Sequence, residues 1–334
     1  MASPYVEVHK PENLRGPGDA RPTALQILKD QDLLGKLEGK VALVTGVSSG
    51  LGIETVRALR AAGMHVFGAV RDLQKATAAL QADLEPGRLE LLPLDNASLV
   101  SVRACAAAFL AKSDKLHVLV NNAGVMMTPE GRTADGFETQ FAVNHLAHFL
   151  LFQLLRPTLL ATAVASPEFG VRVVNVSSSA HLDAPGIFFD NPNLEGIYTP
   201  QLAYAQSKLA NIQIASETER RYGAQGVHAW SVMPGGIATG LAKYLPQDLI
   251  ESWAADEEFM RKWKNAGQRA ATQVRACVAR ELEGKGGVYL EDCWEAGESV
   301  EGVPHVGYKE GVFDEESGRR LWEMSCRMVG VEDE

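Results

Sequence analysis

The strongest constraint on this chain is a rhythm. From residue 41 to residue 290, short apolar runs alternate with longer segments of helical spacing. The runs are Val41–Thr45, His65–Val70, Leu89–Leu94, His117–Val120, Val171–Val176, Val227–Val232 and Val288–Leu290. They lack the in–out alternation of a half-exposed strand, so each has to bury both faces, as parallel strands covered by helices do. The intervening segments supply the helices, over 51–62, within Phe137–Val164, over 203–222 and near 266–283. The expectation is an α/β fold, a doubly wound parallel sheet of about seven strands with helices on both faces.

No internal repeat or low-complexity tract interrupts the rhythm, so 38–334 is read as one domain. Residues 1–37 precede it as a loose N-terminal arm ending in a short amphipathic helix over Thr23–Leu37. A formal net charge of −10 and the lack of a Lys/Arg-rich run argue against nucleic acid as a partner. Cys105, Cys277, Cys293 and Cys326 are scattered without a CxxC pair, which signals neither zinc nor a disulfide framework and suits a reducing compartment. Cys293 reads as a packing residue. His145 and His148 stand three apart on a helix without a third ligand at a helpful spacing, so no metal is expected. Residues 1–22 hold no apolar stretch for a signal peptide. Phe149–Ala165 is interrupted by Arg156-Pro157 and is too short to span a bilayer. A cytoplasmic location without a membrane span is the expectation.

Two segments break the alternation. Residues 179–202, rich in Pro, Gly and Asn, form a long loop after a strand, and 236–265 hold Tyr244, Trp253, Phe259 and Trp263 in a partly helical stretch. Long loops after strands lie over the ligand edge of an open α/β sheet, so both are placed over a site, the second as a lid. Surface elaboration is the plainer alternative. Phe188, Phe189, Tyr198 and Tyr244 add aromatic surface, and an apolar pocket is the expectation.

TGVSSGLG lies between the first strand and the following helix. Gly46, Gly50 and Gly52, with Ser48, Ser49 and Leu51 between them, suit a tight turn where a pyrophosphate rests on a helix N-terminus. The end of the second strand has Val70 and Arg71, where an acidic residue would hold the ribose hydroxyls of NAD. A guanidinium there pairs with a 2′-phosphate, which favours NADP; a surface ion pair with Asp72 is the alternative. Tyr204 and Lys208 stand i, i+4 on one helix face, where an ammonium close to a phenol lowers its pKa.

Taken in order, TGVSSGLG, Asp95, Asn121–Gly124, Asn144, Ser177–Ser179, YAQSK and Pro234-Gly235 resemble the short-chain dehydrogenase/reductase family over about residues 38–292. VNHLAHFLLFQLL, VVNVSSSAH and LAYAQSKLANI look most like its retinol-dehydrogenase and WW-domain-oxidoreductase branch. The resemblance implies a Rossmann-type sheet in the order 3-2-1-4-5-6-7. It implies Tyr204 as the acid or base at a substrate oxygen, Lys208 on the phenol and the nicotinamide ribose, and Ser178 on the substrate oxygen, one position before Ser179. Asn144 would hold a water in a relay to Lys208, or brace neighbouring elements. Asp95 and Asn96 would contact the adenine end, or Asp95 would cap the helix near Ser98. Asn122, Ala123 and Gly124 would line the cofactor; Pro234, Gly235, Ile237 and Thr239 would hold its nicotinamide end. The activity implied is reduction of a hydrophobic ketone or aldehyde with NADP(H), or oxidation of the alcohol. The arm and lid are reminiscent of reductases that tailor polyketides and other secondary metabolites. A possible homo-oligomer, a non-catalytic NADP-binding regulator and an epimerase or dehydratase on the same scaffold stay open.

Overall fold

Runs that are apolar on both faces pair side by side because only a sheet satisfies their backbone while helices cover their side chains. The computed structural model describes residues 4–235, 240–302 and 305–333. Its strands are β1 (Val41–Thr45), β2 (His65–Val70), β3 (Leu89–Pro93), β4 (Val118–Asn121), β5 (Val171–Val176), β6 (Val227–Met233), β7 (Tyr289–Glu291) and β8 (Trp294–Glu295). They form one sheet in the order β3-β2-β1-β4-β5-β6-β7-β8. All neighbours are parallel except β7 and β8, whose short antiparallel hairpin the apolar runs did not announce. Strand order reverses between β1 and β4, and that is where an open α/β sheet forms its ligand crevice.

The helices are α1 (Val6–His9), α2 (Ala24–Asp30), α3 (Leu51–Ala61), α4 (Leu73–Leu80), α5 (Leu99–Leu110), α6 (Thr139–Phe141), α7 (Ala147–Ala165), α8 (Pro200–Tyr222), α9 (Gln247–Ala255), α10 (Glu257–Lys262), α11 (Ala266–Val278) and α12 (Glu315–Val329). Many starts carry a local signal: Ser98 caps α5, Thr199 with Pro200 opens α8, and Asn265 with Gln268 makes a capping box on α11. Helices α5, α7, α8 and α12 pack on one face of the sheet, and α2, α3, α4 and α11 on the other. The indole of Trp322 on α12 is fully buried, edge-on to Phe149 at 5.1 Å, with the Arg221 guanidinium 4.5 Å from its ring. Burying a ring of that size contributes roughly 3 kcal/mol.

Helix α7 continues through Pro157, which interrupts its apolar run in the sequence. Burial against the sheet, α5 and α12 outweighs the roughly 3 kcal/mol that an interior proline costs. With α6 and the π-helical turn between them, Thr139–Ala165 is long and apolar enough to cross a membrane, but most of it is buried inside the fold.

The arm is docked rather than loose. Arg21 is buried and donates to Asp19 Oδ1 at 2.8 Å and to the carbonyls of Lys262 and Trp263 at 2.8 and 2.5 Å, at the end of α10. The Gln268 side chain of α11 accepts from the Gly18 amide and donates to the carbonyls of Asp19 and Arg21. His9 lies 3.7 Å from Asp292, which also pairs with Lys264 at 2.5 Å. Asp292 and Cys293 form the β7–β8 turn with φ of +50° and +64°, the type I′ geometry that usually selects Asn-Gly. The bonds from Lys264 to Asp292 and from the Cys293 amide to Thr272 Oγ1, at 3.1 Å, hold that strained pair in place.

Candidate active site

The carboxyl ends of β1, β4, β5 and β6 converge on one edge of the sheet, and the candidate residues follow them. After β1 the chain turns through Gly46–Gly50 into α3. Gly50 has φ +62° and ψ −131°, a conformation that essentially excludes a side chain. A Cβ on Gly52 would lie 2.3 Å from the Gly46 carbonyl oxygen, so the first turn of α3 can lie this close only with glycine. Ser48, Ser49 and Leu51 occupy the same turn, with Ser49 exposed. The N–H groups of the first turn of α3 face this edge, an arrangement suited to a phosphate.

Thr45, at the end of β1, joins the site together. Its hydroxyl accepts from the Asn122 and Ala123 amides at 3.0 and 2.9 Å and meets His148 Nε2 at 2.9 Å. The Asn122 side chain donates to the carbonyls of Thr45 and Gly46 at 2.7 and 3.2 Å. His148 Nδ1 lies 3.0 Å from the Asn144 carbonyl, so that nitrogen carries the proton and Nε2 accepts from Asn96 Nδ2 at 3.0 Å. The Asn96 amide also donates to the Val143 carbonyl at 3.1 Å, so both its protons are spent inside the protein. Asp95 accepts from the Ala97 amide at 3.0 Å, while Ser98, not Asp95, caps α5.

Asn144 lies in a π-helical turn, Ala142–Leu146, a local irregularity often found at functional sites. Its amide accepts from Val125 N at 2.8 Å and donates to the Val125 carbonyl and to Ser207 Oγ, both at 2.9 Å. The bracing described as the alternative for this residue is therefore present. A Cβ on Gly124 would stand 3.1 Å from Asn144 Oδ1 and 3.6 Å from Lys208 Nζ, which brings these three residues to one point.

Tyr204 and Lys208 are buried on α8. Burial pushes the phenol up to about 12, opposed by a hydrogen bond with Ser178. The Lys208 ammonium sits over the phenol ring, 5.5 Å from its centre, and donates to the Val176 carbonyl at 3.1 Å. Burial lowers it to about 8. The Ser178 hydrogen bond favours the phenolate against the effect of burial. Ser178 follows β5 and also accepts from the Ala180 amide at 3.2 Å. Ser179 begins the short 3-10 turn beyond it.

Arg71 is exposed at the end of β2, and the Asp72 carboxylate is engaged as the N-cap of α4, accepting from Lys75 N at 2.9 Å. Pro234 and Gly235 follow β6, and the buried stem of Lys264 packs on Gly235, where a Cβ would lie 3.1 Å from Lys264 Cδ. Ile237 and Thr239, and the first part of the lid, lie outside the described residues. Helices α9 and α10 lie between β6 and α11, with Trp253, Phe259 and Trp263 in successive ring contacts of 5.5 and 5.9 Å. Tyr198 donates to the Thr128 carbonyl at 2.8 Å, while Phe189 packs beneath Arg320 of α12, 4.1 Å away. Thr45, His148 and Lys264 were not singled out for the site from sequence, because each acts through contacts between distant segments and belongs to no local pattern.

This sheet, with a glycine turn at its reversal point and a Tyr-x-x-x-Lys helix beside it, defines the class of Rossmann-fold oxidoreductases. Residues 40–250 match the family model described as short chain dehydrogenase, and the chain belongs to that family. It is 48% identical over 343 residues to short-chain dehydrogenase/reductase prx1 of Penicillium rubens, covering 100% of both chains. Human retinol dehydrogenase 12 is 36% identical, over 89% of this chain and 88% of its own. Among solved structures, the Pseudomonas aeruginosa RhlG/NADP active-site complex matches with a TM-score of 0.61 and 25% identity, over 78% of this chain and 96% of that one.

The buried histidine gives a pH test. Burial lowers His148 from 6.5 to about 4, so the folded chain stays neutral there while the unfolded chain takes up a proton below 6.5. Stability is therefore complete above pH 6.5 and falls as pH drops to 4, by roughly 3 kcal/mol for this group. Thermal melts across that window are expected to show the fall, and His148→Gln, which gains no proton, a smaller one. Equal slopes would contradict the assignment.

Proposed function

We propose that this chain is an NADP(H)-dependent carbonyl reductase acting on a hydrophobic ketone or aldehyde. The observation that carries the reading is the buried Tyr204 phenol bonded to Ser178, with Lys208 one helical turn away and Gly124 and Asn144 beside it. The residues fit the cofactor on three counts: the turn at Gly46–Gly52 closes without side chains, the α3 N-terminus faces the crevice, and the Arg71 guanidinium has no ion pair with a described residue. In this reading Gly46–Gly52 hold the pyrophosphate, Arg71 the 2′-phosphate, Asp95 the adenine end, Asn122–Gly124 the wall of the crevice, and Pro234 and Gly235 the nicotinamide end. When bound, the cofactor supplies a hydride to the carbonyl carbon.

The chain's own residues manage the oxygen. Ser178 and Tyr204 hydrogen-bond the carbonyl oxygen, and Tyr204 Oη gives it a proton as negative charge develops. Burial keeps the phenol protonated at neutral pH, and an alkoxide is more basic than a phenolate, so the transfer runs downhill in the direction of reduction. Oxidation would need the phenolate, and bringing the phenol from about 12 to 7 would require roughly 7 kcal/mol. Lys208 restores the charge balance near the tyrosine after transfer, its depressed pKa placing proton exchange close to pH 8. Asn144 fixes Val125 and Ser207 around this point. The aromatic row Trp253–Phe259–Trp263 and Tyr244 favour an apolar substrate, polyketide-like or from other secondary metabolism, and the docked arm and buried α7 suit a cytoplasmic enzyme.

NADPH consumption with a panel of hydrophobic ketones, aldehydes and quinones tests the reading. Tyr204→Phe is expected to cut kcat by at least about 100-fold with NADPH binding retained; unchanged turnover would overturn the role of Tyr204. Arg71→Ala is expected to raise the Kd for NADPH about 10- to 100-fold and leave that for NADH nearly unchanged. An unaltered preference for NADPH would remove Arg71 from the account.

A further inference from the structure

Among the described residues, the other buried arginines each have a carboxylate within ion-pair distance. Arg21 serves the end of α10; Arg172 donates to the carbonyls of Ala276 and Ala279 and pairs with Glu283; Arg275 faces Glu281 and lies between the rings of Tyr5 and Trp294. Arg269 is different. In the first turn of α11 it is 3% exposed, its Nε lacks an acceptor, and no described acidic residue forms an ion pair with its guanidinium. Its guanidinium lies beside a neutral ring, Trp263, 5.7 Å from the ring centre. An uncompensated charge in such a place is costly, and burial lowers its pKa to about 10.

The topology says where this charge lies. Helices α3 and α11 each run antiparallel to the parallel strands that they join, so they run in the same direction, packed side by side. Gln273 of α11 donates to Thr55 of α3, which fixes their register. One turn earlier on the same face of α11, Arg269 is level with residue 51, the first of α3. Helical side chains lean toward the helix N-terminus, which carries the guanidinium on toward the crevice. Trp263 and Lys264, beside Gly235, mark the same edge.

We propose that Arg269 binds the diphosphate of the dinucleotide, adding a full positive charge beside the helix-end amides of α3. A guanidinium matches two phosphate oxygens at once, and a dry, unpaired one gains most from the match. The inference rests on the cofactor reading above. It makes Arg269 a residue whose cost in the empty protein is recovered when the phosphates arrive.

The test is to measure binding of NADPH and of adenosine 2′-monophosphate, which lacks the diphosphate, together with the melting temperature of the ligand-free chain. Arg269→Met is expected to weaken NADPH about 10- to 100-fold, leave adenosine 2′-monophosphate within about twofold, and raise the ligand-free melting temperature by a few degrees. Arg269→Lys, which keeps the charge but not the fork, is expected to restore part of the NADPH affinity. Unchanged NADPH affinity, equal weakening of both ligands, or a lowered melting temperature in both variants would overturn the assignment while leaving the cofactor reading intact. Failure of the unaltered chain to bind NADPH or NADH would overturn that reading and this one with it.

Discussion

The hydroxyl of Thr45 receives the amides of Asn122 and Ala123 and meets the imidazole of His148, and these bonds hold the ends of β1 and β4 against α7. Because β1 and β4 flank the point where strand order reverses, the crevice is set by this knot. The other nitrogen of His148 holds the carbonyl of Asn144 in its π-helical turn, and Asn144 in turn holds Val125 and Ser207. Ser207 neighbours Lys208, so one chain of hydrogen bonds runs from the glycine turn to the Tyr204–Lys208 helix. Its links through His148 and from Asn144 to Ser207 are buried, and a buried polar network fixes geometry because breaking one member leaves the others unsatisfied.

That geometry comes at a cost in stability. A buried phenol, a buried amine with its pKa lowered to about 8, and a buried guanidinium without a counter-charge are all poor choices for a core. They stand within one region of the sheet edge. Arg172 and Arg21, by contrast, are paired with carboxylates and bonded to carbonyls. Unfavourable burial gathered at one edge is what a site that gains its compensation from ligands requires.

Much of this was legible in the sequence. The β2 run His65–Val70 and the β5 run Val171–Val176 match their strands residue for residue, because fully buried parallel strands leave no ambiguity about which positions are apolar. The glycine turn and the Tyr-x-x-x-Lys pair were readable because their chemistry demands a local spacing. What escaped was non-local. The Pro- and Gly-rich arm reads as loose, yet Arg21 fastens it to backbone carbonyls some 240 residues away, which no side-chain pattern reveals. The β7–β8 turn uses Asp292-Cys293 where Asn-Gly is the usual signal, and its strain is held by Lys264 and Thr272 from other elements.

The claim that most needs testing is that these residues deliver hydride chemistry to a carbonyl. The direct measurement follows isotope rather than absorbance: NADPH carrying deuterium at both C4 positions is incubated with the protein and a hydrophobic ketone that it turns over. The account expects one deuterium on the carbinol carbon for each NADP+ formed. Conversion of the substrate with no deuterium in the product and no net loss of NADPH would contradict it, and would leave an isomerising or dehydrating enzyme on the same scaffold.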